Sequence, residues 1–102
     1  MNKIFNKLVR DNIPQIIENN NEKAFIKILD EAEYRKELLN KLKEECEEVE
    51  KAKNTNEILE ELADVYEVLV SIARIENKDI RDIIEIADKK RAIKGGFTKK
   101  YF

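Results

Sequence analysis

The sequence contains no histidine and no tryptophan, and its 102 residues include one cysteine, one proline and two glycines. Without histidine, Ser-His-Asp triads, Cys–His pairs and histidine-based zinc sites are excluded. The single cysteine, Cys46, cannot form an intramolecular disulfide, and we expect it to be a small buried hydrophobe within a helix. Few glycines and prolines argue against a β-sandwich or barrel with many tight turns. Any chemistry must therefore come from carboxylates, amines, hydroxyls, the thiol or a metal held by oxygen atoms.

Long hydrophobic runs are also missing, and the N-terminus does not resemble a secretion signal. We therefore expect no membrane span and a cytoplasmic location. Twenty Lys and Arg oppose 22 Asp and Glu, and the net charge of −2 argues against nucleic acid as a partner. What is abundant is charge (41%) together with hydrophobic residues (42%), a composition typical of a helical protein. The length predicts a single domain, residues 1–102.

The spacing of apolar residues predicts an all-α fold, a four-helix bundle with at most one short N-terminal strand. We expect a strand or extended segment within 23–29, and helices at about 14–19, 30–53, 56–76 and 80–94. Asp30 and Glu33 form a capping-box pattern at the start of the second helix, and Asn54 or Thr55 can cap the third. The short break between the two long helices predicts an antiparallel hairpin. The last helix stops at Gly95 and Gly96, and three aromatic residues suggest that the following tail packs.

The third predicted helix contains more apolar residues than a helix with a single buried face needs. Twelve of the eighteen residues from Ile58 to Ile75 are apolar. A helix of this kind must be covered on several sides, which a 102-residue chain can hardly achieve alone. We therefore expect oligomerisation to complete the bundle, as a homodimer or a homotetramer.

Acidic residues are concentrated in the predicted hairpin, where nine lie between Glu44 and Asp64 against two lysines. Glu45 and Glu48 stand three residues apart, as do Glu61 and Asp64, and this spacing places each pair on one helix face. In an antiparallel hairpin centred on the turn, Glu45 is level with Asp64 and Glu48 with Glu61. Four gathered carboxylates repel one another unless they are neutralised, and oxygen ligands suit Mg²⁺ or Mn²⁺. The pattern predicts a metal site, with a merely solvated acidic face as the alternative.

Three stretches of the chain resemble the MazG-like nucleoside triphosphate pyrophosphohydrolases, a group within the all-α NTP pyrophosphatase superfamily. The central one is Glu44-Glu45-Cys46-Glu47-Glu48, separated by twelve residues from Glu61-Leu62-Ala63-Asp64. Residues 7–14 (KLVRDNIP) resemble the opening of a small bacterial and phage branch, and residues 90–97 (KRAIKGGF) resemble its closing motif. The three motifs occur in the family's order, and the resemblance spans nearly the whole chain.

The resemblance implies an enzyme that hydrolyses a nucleoside triphosphate, canonical or non-standard, to the monophosphate and pyrophosphate, a house-cleaning role in nucleotide pools. It implies that Glu45, Glu48, Glu61 and Asp64 bind Mg²⁺, which Mn²⁺ could replace. Glu44 would bind a second ion or orient water, so that Glu44 and Glu45 are the candidate catalytic carboxylates. Metal ions of this kind draw charge off a polyphosphate, and a nearby carboxylate can accept the proton of water.

Basic residues are candidates for holding the substrate phosphates. They fall near the two ends of the chain, at Lys7, Arg10, Lys90, Arg91 and Lys94. Lysines near a helix C-terminus are also favoured by the helix dipole alone, and Arg10 could instead pair with Asp11 or with the acidic residues. Both interpretations remain open from the sequence.

Two other functions fit parts of the pattern. A phosphoribosyl-ATP pyrophosphohydrolase is the first, although Tyr66 is followed here by Glu67, where those enzymes carry a histidine. The second is a non-enzymatic helical interaction module whose acidic residues merely solvate a bundle. This module would show no dependence of stability or oligomeric state on divalent cations.

Overall fold

The structure is a computed structural model that describes the backbone of residues 2–3 and the whole of residues 6–102. In this part of the chain it has four helices and two very short strands, which confirms the expected all-α class and helix count. The elements in chain order are β1 (Asn2–Lys3), α1 (Ile13–Asn19), β2 (Lys23–Ala24), α2 (Glu31–Lys51), α3 (Thr55–Ile75) and α4 (Ile80–Lys94).

The two strands pair in parallel, with Asn2 opposite Lys23 and Lys3 opposite Ala24. The segment predicted as strand or extended chain at 23–29 therefore contains a strand, but only in its first two residues. β1 was not predicted from the sequence because its conformation depends on pairing with a segment beyond α1. β2 also packs against α1.

The three longer helices each begin at a side chain that accepts a hydrogen bond from the first turn. Such caps satisfy backbone N–H groups that have no partner inside the helix. The acceptors are Asp30 for Glu33 N (2.8 Å), Asn54 for Glu57 N (2.9 Å) and Asp79 for Arg81 N (2.9 Å). The helix starts predicted from these local signals are confirmed to within one residue, and Gly95, at a φ of 79°, follows the end of α4.

The long helices α2 and α3 pack side by side along the hairpin, and the short connection at 52–54 makes them antiparallel. An ion pair between Arg35, near the start of α2, and Glu76, just after α3, holds the open end of the hairpin together. The core is small and lies mainly between these two helices. Its buried apolar side chains are Ile17, Leu38, Val68, Val70 and Ala73.

Cys46 is exposed, so the prediction that it is a buried hydrophobe is wrong. The reason lies in the orientation of α2. Glu45 is buried towards the hairpin, and consecutive helix residues point about 100° apart, so Cys46 cannot share that face. The C-terminal aromatic residues are also exposed, and the prediction that this tail packs is wrong for the single chain.

Several large apolar side chains of α3 are exposed in the single chain. Leu59, Leu62 and Tyr66 each keep about half of their surface accessible, at 59%, 47% and 50%. This agrees with the surplus of apolar residues read from the sequence of this helix. In the described part of the chain, no helix combines the length and hydrophobicity needed to cross a membrane.

Candidate metal centre

Three carboxylates converge between the helices of the hairpin. Glu45 comes from α2, and Glu61 and Asp64 come from successive turns of α3. One carboxylate oxygen from each lies within 4.8 Å of the other two. The antiparallel register explains this meeting, because it sets Glu45 level with the turn of α3 that carries Asp64. Three of the four predicted metal ligands are thus brought together.

Glu45 is the most buried member of the group, with 8% of its surface exposed. Burying a carboxylate is costly unless a cation or hydrogen-bond donors compensate for the lost water. The Lys41 Nζ, one helical turn earlier, lies 3.5 Å from Glu45 Oε1 and 3.6 Å from Glu44 Oε1. Lys41 is not among the site residues predicted from the sequence. Its three- and four-residue spacing from these glutamates is the signal that could have found it.

Glu61 has unfavourable surroundings for a negative charge. Partial desolvation raises the pKa of its carboxyl above the ordinary 4.5, and the charges of Asp64, Glu45 and Glu48 raise it further. A carboxylate in this situation is stabilised by any cation placed among the same oxygens.

Glu48, the fourth predicted ligand, lies outside the group of three described above. Three residues along an α-helix rotate the side chain by about 300°, so Glu48 is turned about 60° from Glu45 and lies one turn further on. Its charge still acts on the centre, since it contributes to the raised pKa of Glu61. Glu48 therefore acts on the site through its charge.

Two basic residues of the N-terminal segment reach the acidic residues of the hairpin. Lys7 Nζ donates a hydrogen bond to Glu44 Oε1 at 2.7 Å, and Arg10 Nη2 donates to Asp64 Oδ1 at 2.7 Å. The Lys7 bond raises the pKa of that lysine and lowers the pKa of Glu44. Among the partners considered for Arg10, the structure favours the acidic group.

The basic residues near the C-terminus lie elsewhere. Lys90, Arg91 and Lys94 are exposed on α4, which has no buried residue. Arg91 pairs with Asp88 on its own helix at 3.0 Å. Within the described residues, no hydrogen bond or ion pair joins the three to the carboxylates of the hairpin. The single chain therefore does not bring these predicted phosphate ligands to the centre.

The geometry of the three carboxylates suits a small divalent cation. Mg²⁺ binds oxygen ligands at about 2.1 Å, which holds neighbouring ligands roughly 3 to 4 Å apart. Small side-chain rotations would bring oxygens that lie within 4.8 Å of one another onto a single ion. The donors are all carboxylates, the ligand type suited to Mg²⁺ and Mn²⁺. Glu45, Glu61 and Asp64 therefore fit the predicted metal.

A cavity of about 550 Å³ lies along the N-terminal segment, and Lys7, which pairs with Glu44, is part of its lining, whereas Glu45, Glu61 and Asp64 are not. Val9, Ile17 and Phe25 contribute apolar walls. Cavities of a few hundred Å³ with mainly apolar walls are typical of small-molecule sites.

Comparison of the chain with protein-family models, with curated proteins and with solved structures finds no match.

Proposed function

We propose that this protein is a metal-dependent nucleoside triphosphate pyrophosphohydrolase of the MazG-like type. The observation that carries the proposal is the convergence of Glu45, Glu61 and Asp64 from two helices, at positions that resemble the metal-binding motif of that family. The neighbouring Lys7 and Arg10 lie within residues 7–14, another stretch that resembles this family. A cytoplasmic location and a role in cleansing nucleotide pools are part of the same proposal.

In this proposal, Glu45, Glu61 and Asp64 hold Mg²⁺ or Mn²⁺, with Glu48 adding negative charge beside them. The bound ion would neutralise charge on the polyphosphate. Lys7 and Arg10, which border the carboxylates, would exchange an acidic partner for a substrate phosphate. The nucleoside would extend into the neighbouring cavity.

The proposed reaction adds water across the α–β phosphoanhydride. A new bond joins the water oxygen to phosphorus, the bridging P–O bond breaks, and the products are a nucleoside monophosphate and pyrophosphate. A carboxylate in or beside the centre, Glu45 or Glu44, accepts the proton that water loses. Phosphoryl transfer depends mainly on positioning and charge neutralisation, so a chain without histidine can perform it.

The test is pyrophosphate release from a panel of canonical and modified (d)NTPs and phosphoribosyl-ATP, with Mg²⁺, with Mn²⁺ and with EDTA. We expect metal-dependent release that falls about hundredfold or more in Glu61→Gln, in line with the loss of a group needed for water activation. Glu48→Gln tests the fourth predicted ligand. Glu60→Gln, on the same helix outside the acidic group, is the matched control and should retain activity.

The second candidate, a helical interaction module without catalysis, is favoured by the exposed apolar side chains of α3. It predicts no release with any substrate of the panel and no effect of Mg²⁺ on thermal stability. Metal-induced stabilisation that is lost in Glu61→Gln would contradict this alternative even before a substrate is identified.

A further inference from the structure

The segment that follows β2, residues 25–29, is rich in apolar residues and has no regular secondary structure in the single chain. The sequence predicts a strand or extended segment within 23–29, but only the first two residues pair. Beyond them, Phe25, Ile26 and Ile28 keep 64%, 65% and 90% of their surface exposed. Isoleucine and phenylalanine favour strands, where they pack well on a pleated surface. The fold of one chain therefore satisfies this preference only in part.

The backbone of residues 26–29 is also open to further pairing. Within the described part of the chain, these residues form no backbone hydrogen bond. The described sheet has two strands, with β1 along one edge of β2, so no described strand lies along the other edge. Free backbone N–H and C=O groups at the edge of a sheet are a template on which another strand can pair.

A second copy of the same segment is a suitable partner for this edge. Successive side chains of a strand point to opposite faces, so Ala24, Ile26 and Ile28 share one face. If two copies pair antiparallel about a twofold axis at Ile26, each Ala24 lies opposite the partner's Ile28. Every directly opposite pair on this face is then apolar, and such cross-strand pairs are what stabilises a sheet.

The lysines of the segment favour this register over its neighbours. With the axis at Ile26, each Lys27 lies opposite the partner's Phe25, and each Lys23 lies opposite the partner's Leu29. An axis at Phe25 would set Lys23 against Lys27, and an axis at Lys27 would set two lysines against each other, which is unfavourable. A lysine is also attracted to an aromatic face, and within one chain Lys23 Nζ already lies 6.0 Å from the centre of the Phe25 ring.

We propose that two copies of the chain pair antiparallel through residues 24–28, with Ile26 at the twofold axis. The two-stranded sheet of each chain then becomes half of a four-stranded sheet, which is more stable than an isolated pair of strands. This surface contains no residue of α3, and the inference does not depend on the proposed metal site.

Disulfide trapping tests the register directly. Cys46, which is exposed, is first replaced by serine, and Ile26→Cys is then compared with Ile28→Cys under oxidation by copper phenanthroline. Directly opposite residues of an antiparallel pair have Cα atoms about 4.5–5.5 Å apart, within the range of about 4.4–6.8 Å that a disulfide spans. Ile28 lies opposite the partner's Ala24 instead, and four residues of a strand separate it from the partner's Ile28 by about 14 Å.

We expect a disulfide-linked dimer in Ile26→Cys and little of it in Ile28→Cys. The same result should be obtained after Leu59→Ser, which removes an exposed apolar side chain of α3. Equal trapping at the two positions, or no trapping at Ile26→Cys, would overturn the inference. Trapping that disappears with Leu59→Ser would overturn it as well, because α3 would then be the element that joins the copies.

Amide hydrogen exchange tests the pairing without an introduced thiol. Exchange of residues 26–28 in the wild type should slow as the protein concentration rises. Ile28→Lys should weaken the association about tenfold, because the twofold arrangement loses two apolar pairs with each substitution. Ile93→Lys replaces an isoleucine of similar exposure on α4 (85% against 90%) and should behave like the wild type. Rapid exchange of residues 26–28 at every concentration would overturn the inference.

Discussion

The surroundings of Glu61 and Glu44 shift the pKa values of these two carboxyl groups in opposite directions. The pKa of Glu44 is lowered, chiefly by the hydrogen bond from Lys7, whereas the pKa of Glu61 is raised by desolvation and by neighbouring carboxylates. A group whose pKa is higher in the folded chain favours folding below its unfolded pKa of 4.5, and this contribution is lost as the pH rises through the folded pKa. At neutral pH without metal, Glu61 therefore disfavours the folded state relative to acidic pH.

Replacing Glu61 by Gln should accordingly have opposite consequences with and without metal. We expect the melting temperature of the metal-free variant to exceed that of the wild type at pH 7, because glutamine carries no charge to be repelled. Its affinity for Mg²⁺ should also fall. Mutating a residue that only hydrogen-bonds to a metal ligand typically lowers metal affinity by roughly 10- to 100-fold, and the loss of a ligand itself should lower it by more. Differential scanning calorimetry with and without Mg²⁺ measures both effects.

Glu60→Gln is the control for this comparison, since it removes a charge from the same helix outside the acidic group. It should leave the Mg²⁺ response unchanged. A metal-free Glu61→Gln variant that melts below the wild type would contradict the assignment of Glu61 to a repulsive cluster.

Asn54 caps the start of α3 at the end of the three-residue connection that fixes the register of the hairpin. Its side-chain oxygen accepts from Glu57 N at 2.9 Å, and its amide donates to Glu57 Oε2 at 2.9 Å. Asn54→Ala should lower the free energy of unfolding by about 1 kcal/mol, the usual effect of losing an N-cap. Urea denaturation measures this loss, and Asn54→Ser, which keeps a capping oxygen, should be affected much less.

The start of α4 depends on pH through Asp79. The Asp79 carboxylate accepts a hydrogen bond from the backbone N–H of Arg81, which holds the pKa of Asp79 below the ordinary 3.8. The Asp82 carboxylate in turn accepts a hydrogen bond from the backbone N–H of Asp79 at 2.8 Å. A lowered pKa means that Asp79 stabilises the helix above its unfolded pKa and that this contribution is lost as the pH falls through the folded value.

We therefore expect amide-exchange protection in the first turn of α4 to decrease below about pH 4, relative to the centre of α3, in line with the ordinary carboxyl pKa. Asp79→Asn still offers a capping oxygen but no titrating carboxyl. Its protection should change less over the same interval, and an equal decrease in both proteins would contradict the role given to Asp79.

The helices and their starts could be predicted because caps and apolar spacing act over a few residues. The convergence of Glu45 with Asp64 was also predictable, since a three-residue connection fixes the register of an antiparallel pair. The exposure of Cys46 could not be read in this way. It depends on which side of α2 meets α3, and the buried Glu45 reverses the usual expectation that an apolar residue lies inside.

Residues whose placement depends on distant segments were the least predictable. Arg10 had an equally plausible partner next to it in Asp11, and only the fold brings it to Asp64. For Lys90 and Lys94, spacing along the helix gives no information about which other element lies nearby. The structure places them on exposed α4, apart from the carboxylates.

The exposed apolar side chains of α3 lead to a prediction about the assembled protein. We propose that copies of the chain associate through this helix, as the composition of the sequence predicts. Leu59→Ser should then weaken self-association about tenfold or more, because burying a leucine contributes about 1.5–3 kcal/mol.

Sedimentation velocity over a range of protein concentrations measures this effect. Glu60→Ser, at the next position of the helix, introduces the same side chain where no apolar surface is lost, and it should associate like the wild type. A wild-type protein that stays monomeric at all concentrations would contradict an assembly of this kind.

The two ion pairs that join the N-terminal segment to the hairpin also bear on the order in which the molecule assembles. Lys7–Glu44 and Arg10–Asp64 span 37 and 54 residues, whereas the hairpin connection involves only three. Local contacts generally form before distant ones, so α2 and α3 should meet before these cations arrive. We therefore expect the acids of the two helices to approach one another during folding before Lys7 and Arg10 can counter their charge. Refolding should become faster as added salt screens this repulsion, and the gain should continue above 0.1 M, because the screening length of about 10 Å at that concentration still exceeds the separation of the carboxylate oxygens, which lie within 4.8 Å of one another.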